Sequence, residues 1–371
     1  MTSTPTALWV VPVPNFGGVA RHVVDMVRAG LPGFNMVVLA PEGKLTSRLE
    51  ELGVTVIKAE FGPNYGFKTS FASLQKAVEQ LRPDIVHSHL AYADVVATAV
   101  VNALRIRSVI KRSTCVPKLL TTEHGIAGND SVYHGSSWRS KLMETVHRVR
   151  LWGTDQAIAV SRSTADQMRA KWGDRGVELV YNGVDIPEVH AAVEQQRVPA
   201  EGGPRILSLS RLSPEKGIDV LLDAFAQLRA DYPQAHLEIA GSGDLASELQ
   251  AQAQRLNLGE SVTFSGFVNP IEAMGRSDMI VQLSVWENCS YTLLDAKAAG
   301  LKTVATAVGG NLEILGADEL VDRQSATLTQ DVLQAMRAQL QKGEAEPFTW
   351  SSNEQMAAQT TEIYARTLEK K

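Results

Sequence analysis

Cysteine is nearly absent: Cys115 and Cys289 are the only two in 371 residues, which excludes a disulfide framework and a thiolate metal ladder. Long apolar runs are missing too. The longest, Val95 to Leu104, already contains Thr98 and Asn102, and a membrane-spanning helix needs about 20 apolar residues. The opening MTSTPTALWVVPV is polar and leads into a short strand, without the pattern of a secretory signal. Nor is there an excess of positive charge: 36 basic residues stand against 41 acidic ones, a net −5, which argues against general nucleic-acid binding. The expectation is a cytosolic protein.

Charge is present but uneven. Arg105, Arg107, Lys111, Arg112 and Lys118 form a basic stretch over 105–118 without one acidic residue, and Arg139, Lys141, Arg148 and Arg150 follow. Such a stretch could face an anionic membrane at its inner surface or a pyrophosphate-bearing acceptor, or it could simply be a solvated helix face.

Apolar residues make up 44% and charged residues 21%, an ordinary enzyme composition, and the length calls for two domains. Short apolar runs alternate with amphipathic stretches. LWVVPV, NMVVLA, VTVIKA, DIVHSH, LLTTEH, DQAIAVS and VELVYNG form one series; RILSLS, HLEIA, SVTFSG, MIVQLS and KTVATA form a second. Alternation of this kind predicts parallel sheets with helices on both faces. Between the series the pattern lapses over 186–204 and closes on Gly-Gly-Pro. The expected organisation is a domain over 1–190, a linker over 191–204 and a domain over 205–345, with a final helix near 351–371 starting at Ser351 or Ser352. Ligands belong at the carboxyl ends of such strands.

The chemistry concentrates in two segments. RILSLSRLSPEKG puts Arg211 and Lys216 between a strand and a helix, and ENCSYTLLDAKAAGLKTVATAVGG sets Glu287 and Asp295 eight residues apart around a helix start. Strand-to-helix loops offer unpaired N–H groups at the positive end of a helix, where phosphate binds. Arg and Lys neutralise different phosphate oxygens. Carboxylates suit polyols instead, because each accepts hydrogen bonds from neighbouring hydroxyls. Cations, helix N-terminus and carboxylates together describe a pocket for a sugar diphosphate.

These segments, with NFGGVARHV, DIVHSHL, TTEHG, IAVSRSTAD, VYNGVD, IAGSGDL, FSGFV and AVGGNLEIL in the same order, resemble glycosyltransferase family 4 over essentially the whole chain. The resemblance implies the GT-B fold, two Rossmann-like α/β domains facing a central cleft, with the last helix packed back on the first domain. It implies a retaining, hexosyltransferase-type enzyme that moves a sugar from a UDP- or GDP-sugar to a hydroxyl of a glycan or lipid-linked acceptor, as in cell-surface polysaccharide or glycolipid synthesis, without a metal or other cofactor. By the same resemblance Gly17 and Gly18 admit donor phosphate and acceptor, and Arg211 and Lys216 hold the diphosphate. Glu287 contacts the transferred sugar, Asn288, Cys289, Ser290, Tyr291 and Thr292 line sugar and phosphate, Asp295 grips the ribose, Val268 meets the base, and His124 reaches the donor sugar near the reacting carbon.

Asp295 is one methylene shorter than the family's Glu, and Asn-Cys-Ser stands where the family has Gly-Phe-Gly; both departures bear on sugar specificity. A nucleotide-sugar epimerase or sugar phosphorylase on the same fold, or a sugar-nucleotide binding protein with decayed chemistry, are the alternatives. Two further patterns are weighed and set aside. Gly241-Ser-Gly243-Asp-Leu-Ala246 fits the dinucleotide fingerprint, but it does not open its domain and no acid closes the next strand. His87 and His89 share a strand face, but no further ligand at zinc-site spacing joins them, so cleft lining or core packing is expected.

Overall fold

The computed structural model describes residues 4–111, 116–126, 137–174, 176–199, 202–343 and 346–370. Residues group into two compact units: Met1–Gly183 with Ser351–Lys371, and Val184–Trp350. Each holds one parallel sheet.

Strands of the first unit are β1 (Thr6–Val10), β2 (Asn35–Ala40), β3 (Thr55–Lys58), β4 (Ile85–His89), β5 (Lys118–Glu123), β6 (Gln156–Ala159) and β7 (Glu178–Leu179). Their order is β3-β2-β1-β4-β5-β6-β7. The chain therefore winds outward from β1 in one direction and from β4 in the other, and the switch point lies between these two strands. Register across it pairs Trp9 with His87 and Val10 with Ser88; on the other side of β4, His89 pairs with Thr122. Both faces are covered, so residues of β1 and β4 are buried whichever way they point, which is why these strands read as near-continuous apolar runs.

Trp9 is fully buried with Val23, Met26, Met356 and Tyr364 on one side of the sheet. Leu8, Val10, Leu74, Val96 and Val100 pack on the other. Each such side chain contributes about 1.5–3 kcal/mol relative to exposure. Met356 and Tyr364 come from helix Asn353–Glu369, which thus completes this unit's core. Of the two serines that could start that helix, Ser352 does: its Oγ accepts from Gln355 N at 3.1 Å, and Gln355 Oε1 accepts from Ser352 N at 2.9 Å. This is a reciprocal capping box.

The second unit contains β8 (Arg205–Leu209), β9 (His236–Ala240), β10 (Val262–Gly266), β11 (Met279–Gln282), β12 (Lys302–Thr306) and β13 (Leu320–Val321), ordered β10-β9-β8-β11-β12-β13. Its switch point separates β8 from β11. Phe225, Leu222, Leu237, Val281, Val304 and Met336 are among its core. The expected linker needs correction at its start: residues Ile186–Gln195 form a helix, with Asp185 Oδ1 accepting from Glu188 N and Pro187 in the first turn. Proline is well suited there because its missing N–H is one the helix start leaves unpaired anyway. Val189 and Val193, four apart, bury the inner face of this helix.

Among the described residues no helix is long and apolar enough to cross a membrane.

Candidate functional site

The phosphate candidates sit at the second unit's switch point. Beyond β8, Ser213 opens a short turn over Pro214–Lys216, and Gly217 (φ 60°) starts helix Ile218–Leu228. A Cβ on Gly217 would lie 2.6 Å from Leu283 O, so the loops after β8 and β11 touch where only glycine fits. That closeness brings Lys216 to Glu287: Lys216 Nζ lies 2.5 Å from Glu287 Oε1, with both side chains mostly buried. Ser284 Oγ donates to the same carboxylate oxygen at 2.7 Å. Glu287 is thus fixed by a cation and a hydroxyl, which answers how a carboxylate persists between Trp286 and Asn288.

Arg211 is held differently. Its side chain is 70% exposed, with Nη2 3.7 Å from Glu215 Oε1, so it is available to an incoming anion. The structure therefore brings Lys216 to Glu287, and Arg211 to Glu215, whose carboxylate feels both cations.

Ser290 caps helix Tyr291–Ala298, accepting from Leu293 N at 3.3 Å and from Gln282 Nε2 at 3.1 Å. Asn288, Cys289 and Ser290 are buried, and Tyr291 and Thr292 are half-buried at the first turn. Asp295 lies buried on the second turn of this helix, away from the exposed dipole position that a purely local role requires. The backbone freedom absent from Asn-Cys-Ser appears in the facing loop: Gly309 (φ +53°) lies so close that a Cβ would meet Glu287 O at 1.7 Å. Val268 follows the end of β10, half-buried between exposed Phe267 and Asn269.

The dinucleotide-like glycines have a packing role. A Cβ on Gly241 would meet Ser210 O at 1.8 Å and one on Gly243 would meet Leu212 O at 2.2 Å; both press the loop after β9 against the one carrying Arg211. A cavity of about 760 Å³ lined by Pro204, Asp278, Leu301 and Lys302 lies at the opposite, amino edge of this sheet.

At the first unit's switch point Gly17 precedes helix Gly18–Ala29, and neither Gly17 nor Gly18 would bring a Cβ within 4 Å of a neighbour. Their value lies in leaving the loop surface open. His22 on that helix, His89 at the end of β4 and His124 just past β5 converge, with one nitrogen of each within 4.8 Å of the others. His89 Nδ1 and His124 Nε2 are 2.9 Å apart, and His22 Nδ1 is 3.2 Å from Asn182 Oδ1. Burial lowers all three: His22 to about 4, and His89 and His124 well below the usual imidazole value, with neighbouring imidazoles adding to the effect on the last two. They are neutral at pH 7. His87 packs its ring 4.4 Å from that of His89 but has both nitrogens engaged elsewhere, with Tyr364 Oη at 2.5 Å and Thr122 Oγ1 at 2.7 Å. As expected from the spacing, no ligand close in sequence joins the 87/89 pair; His22 and His124, which approach His89, lie 67 and 35 residues away.

Beneath His124 lies a group that the sequence reading missed. Arg150 is 2% exposed and bridges Asp94 and Glu123, the latter at 2.5 Å. Its guanidinium carbon stands 5.0 Å from the Trp172 ring centre. Glu123 immediately precedes His124, so Arg150 anchors the backbone that presents the imidazole. The described cations of the basic stretch are engaged. Arg105 binds Asp155 and donates to Gly153 O at 2.8 Å, Arg107 pairs with Glu79 at 3.1 Å, and Lys118 donates to Lys370 O at 2.6 Å. Cys115, Arg112 and the side chains of Lys111, Arg139 and Lys141 lie outside the described residues.

Two parallel sheets, each with helices on both faces and candidate side chains gathered at its switch point, define a doubly wound α/β architecture repeated in two units. The family model Glycosyltransferase Family 4 matches residues 16–188, and Glycosyl transferases group 1 matches 191–347. The alpha-monoglucosyldiacylglycerol synthase of Streptococcus pneumoniae is 34% identical over 315 residues, covering 79% of this chain and 68% of its own. The glycogen synthase of Mycobacterium tuberculosis is 27% identical over 339 residues, covering 81% and 77%. In fold the chain is similar to HepE of Anabaena, solved in complex with UDP: TM-score 0.71, 20% identity, covering 98% of this chain and 95% of that one. The chain belongs to the group 1, family 4 glycosyltransferases and has the GT-B fold.

Proposed function

We propose that the protein is a retaining hexosyltransferase that takes a sugar from a UDP- or GDP-sugar, independently of metal, and passes it to a hydroxyl of a glycan or lipid-linked acceptor. The observation that carries this reading is the Lys216–Glu287 contact at the β8/β11 switch point: a cation for phosphate and a carboxylate for sugar hydroxyls, held on adjacent loops. The UDP complex of HepE and the glucolipid synthase among the relatives support the donor and acceptor classes.

In this mechanism Arg211, Lys216 and the N-terminus of helix Tyr291–Ala298 stabilise the charge that develops on the leaving diphosphate. Those cations take the place a metal would fill. The bond from anomeric carbon to phosphate oxygen breaks first, through a short-lived oxocarbenium ion. The acceptor oxygen enters on the same face, and the departing phosphate takes its proton. Glu287 orients the sugar and favours its positive charge. His124, being neutral, hydrogen-bonds a hydroxyl without opposing that charge. Asp295 serves the ribose, and Val268 the base.

Membrane contact is part of the proposal. Ile106, Val109 and Ile110 are 64–81% exposed on one face of helix Ala91–Lys111, beside the basic stretch, an arrangement suited to an anionic bilayer. Flotation with anionic liposomes checks this contact; absence of the protein from the vesicle fraction refutes it.

Turnover of a sugar nucleotide tests the central reading. Arg211→Ala and Lys216→Ala should each lose about 10²-fold or more, as with other preorganised charge stabilisers. The product anomer, read by NMR, should keep the donor's configuration, and chelator should leave the rate unchanged. Turnover within tenfold of wild type in both variants refutes the assigned roles.

A further inference from the structure

We propose that His22, His89 and His124 form a binding site for one divalent cation of the zinc class. Tetrahedral zinc holds imidazole nitrogens at about 2.0–2.1 Å, which sets them roughly 3.3 Å from one another. The nitrogens here lie within 4.8 Å of one another, and one pair at 2.9 Å, so modest ring rotation completes the geometry. The supports are rigid: His89 ends β4, His124 follows the adjacent β5, and His22 rides the helix after β1.

His22 carries the outer hydrogen bond typical of a ligating imidazole. With Nδ1–H donating to Asn182 Oδ1, the lone pair resides on Nε2. An all-imidazole set selects zinc, copper, nickel or cobalt over magnesium, calcium and manganese. His87, bonded at both nitrogens, is no part of the set.

Occupation would take up the lone pair of His124, so zinc should inhibit sugar transfer; that consequence rests on the role given to His124 above, whereas binding does not. The test is cobalt titration of the full chain without sugar nucleotide, read by visible absorption. One cobalt per chain, with the strong bands of tetrahedral coordination and displacement by zinc, is expected. His22→Gln and His89→Gln should each weaken binding by about 100-fold or more, and exposed His190→Gln should leave it unchanged. Melting curves without metal establish that the variants fold. Absence of tetrahedral bands in the unmodified protein, or equal affinity in His22→Gln and His89→Gln, overturns the site. Because the assay contains no donor, its failure removes the metal site and leaves the transferase reading standing.

Discussion

Replacing Arg150 by methionine isolates the group beneath His124. The guanidinium is 2% exposed and bridges two carboxylates that are themselves 2–4% exposed. Removing the cation strands both acids in a low-dielectric interior, and breaking a buried pair in this way costs about 3–5 kcal/mol. Total stabilities are about 5–15 kcal/mol. For a unit of this size each kcal/mol lowers Tm by about 2–4 °C, so a fall of roughly 6–20 °C is expected by scanning calorimetry.

The loss should depend on pH with a definite sign. Burial already raises Asp94 and Glu123 above the ordinary carboxylate range, against the pull of Arg150. Without the cation they rise further, and in the window between unfolded and folded values the folded state binds more protons. Stability of the variant therefore falls as pH rises through that window, and its deficit is largest near pH 8 and smallest near pH 5. Adding Asp94→Asn and Glu123→Gln removes the stranded charges and should recover at least half of the loss. A Tm within about 2 °C of the parent, or a deficit constant from pH 5 to 8, refutes the account.

Gly309→Ala should weaken UDP or GDP binding at least tenfold by calorimetric titration, because a left-handed backbone and a Cβ 1.7 Å from Glu287 O must both be relieved by moving that carboxylate's loop. Glu287→Gln keeps the shape but frees Lys216 from its ion pair. Transfer should drop by about 10² or more, as when a preorganised charge is lost, while nucleotide binding is retained. Loss of both together would assign Glu287 to scaffolding. Ser352→Ala should cost about 1 kcal/mol by urea denaturation, the usual loss of an N-cap, and the loss should fall on the unit containing β1.

The strands and most helices were legible because a sheet covered on both faces imposes apolar runs that only loops interrupt. β13 was not, since Leu320–Val321 is too short to show a pattern. Helix Ile186–Gln195 reads as linker in the sequence because Pro187 and the following Gly-Gly-Pro outweigh its Asp185 cap and the Val189/Val193 pair. Lys216 and Glu287 stood out through their strand-to-helix loops. The Asp94–Glu123–Arg150 group did not, because its members lie 27 to 56 residues apart and a charge in an apolar stretch does not announce its partner. His22, on the amphipathic helix Gly18–Ala29, is hidden in the sequence for the same reason.

The hydrogen bond between Tyr364 and His87 spans 277 residues, and this has a consequence for synthesis. At about 5–20 residues per second, His87 emerges on the order of tens of seconds before Tyr364 exists. The sheet with β4 at its centre must therefore wait with one flank bare, while Val184–Trp350 can be made and folded in full during the wait. A ribosome stalled within residues 353–369 would release a chain whose later-made unit is sound and whose earlier-made unit is unfinished. Quality control acting on this protein should recognise the end of the chain that was made first.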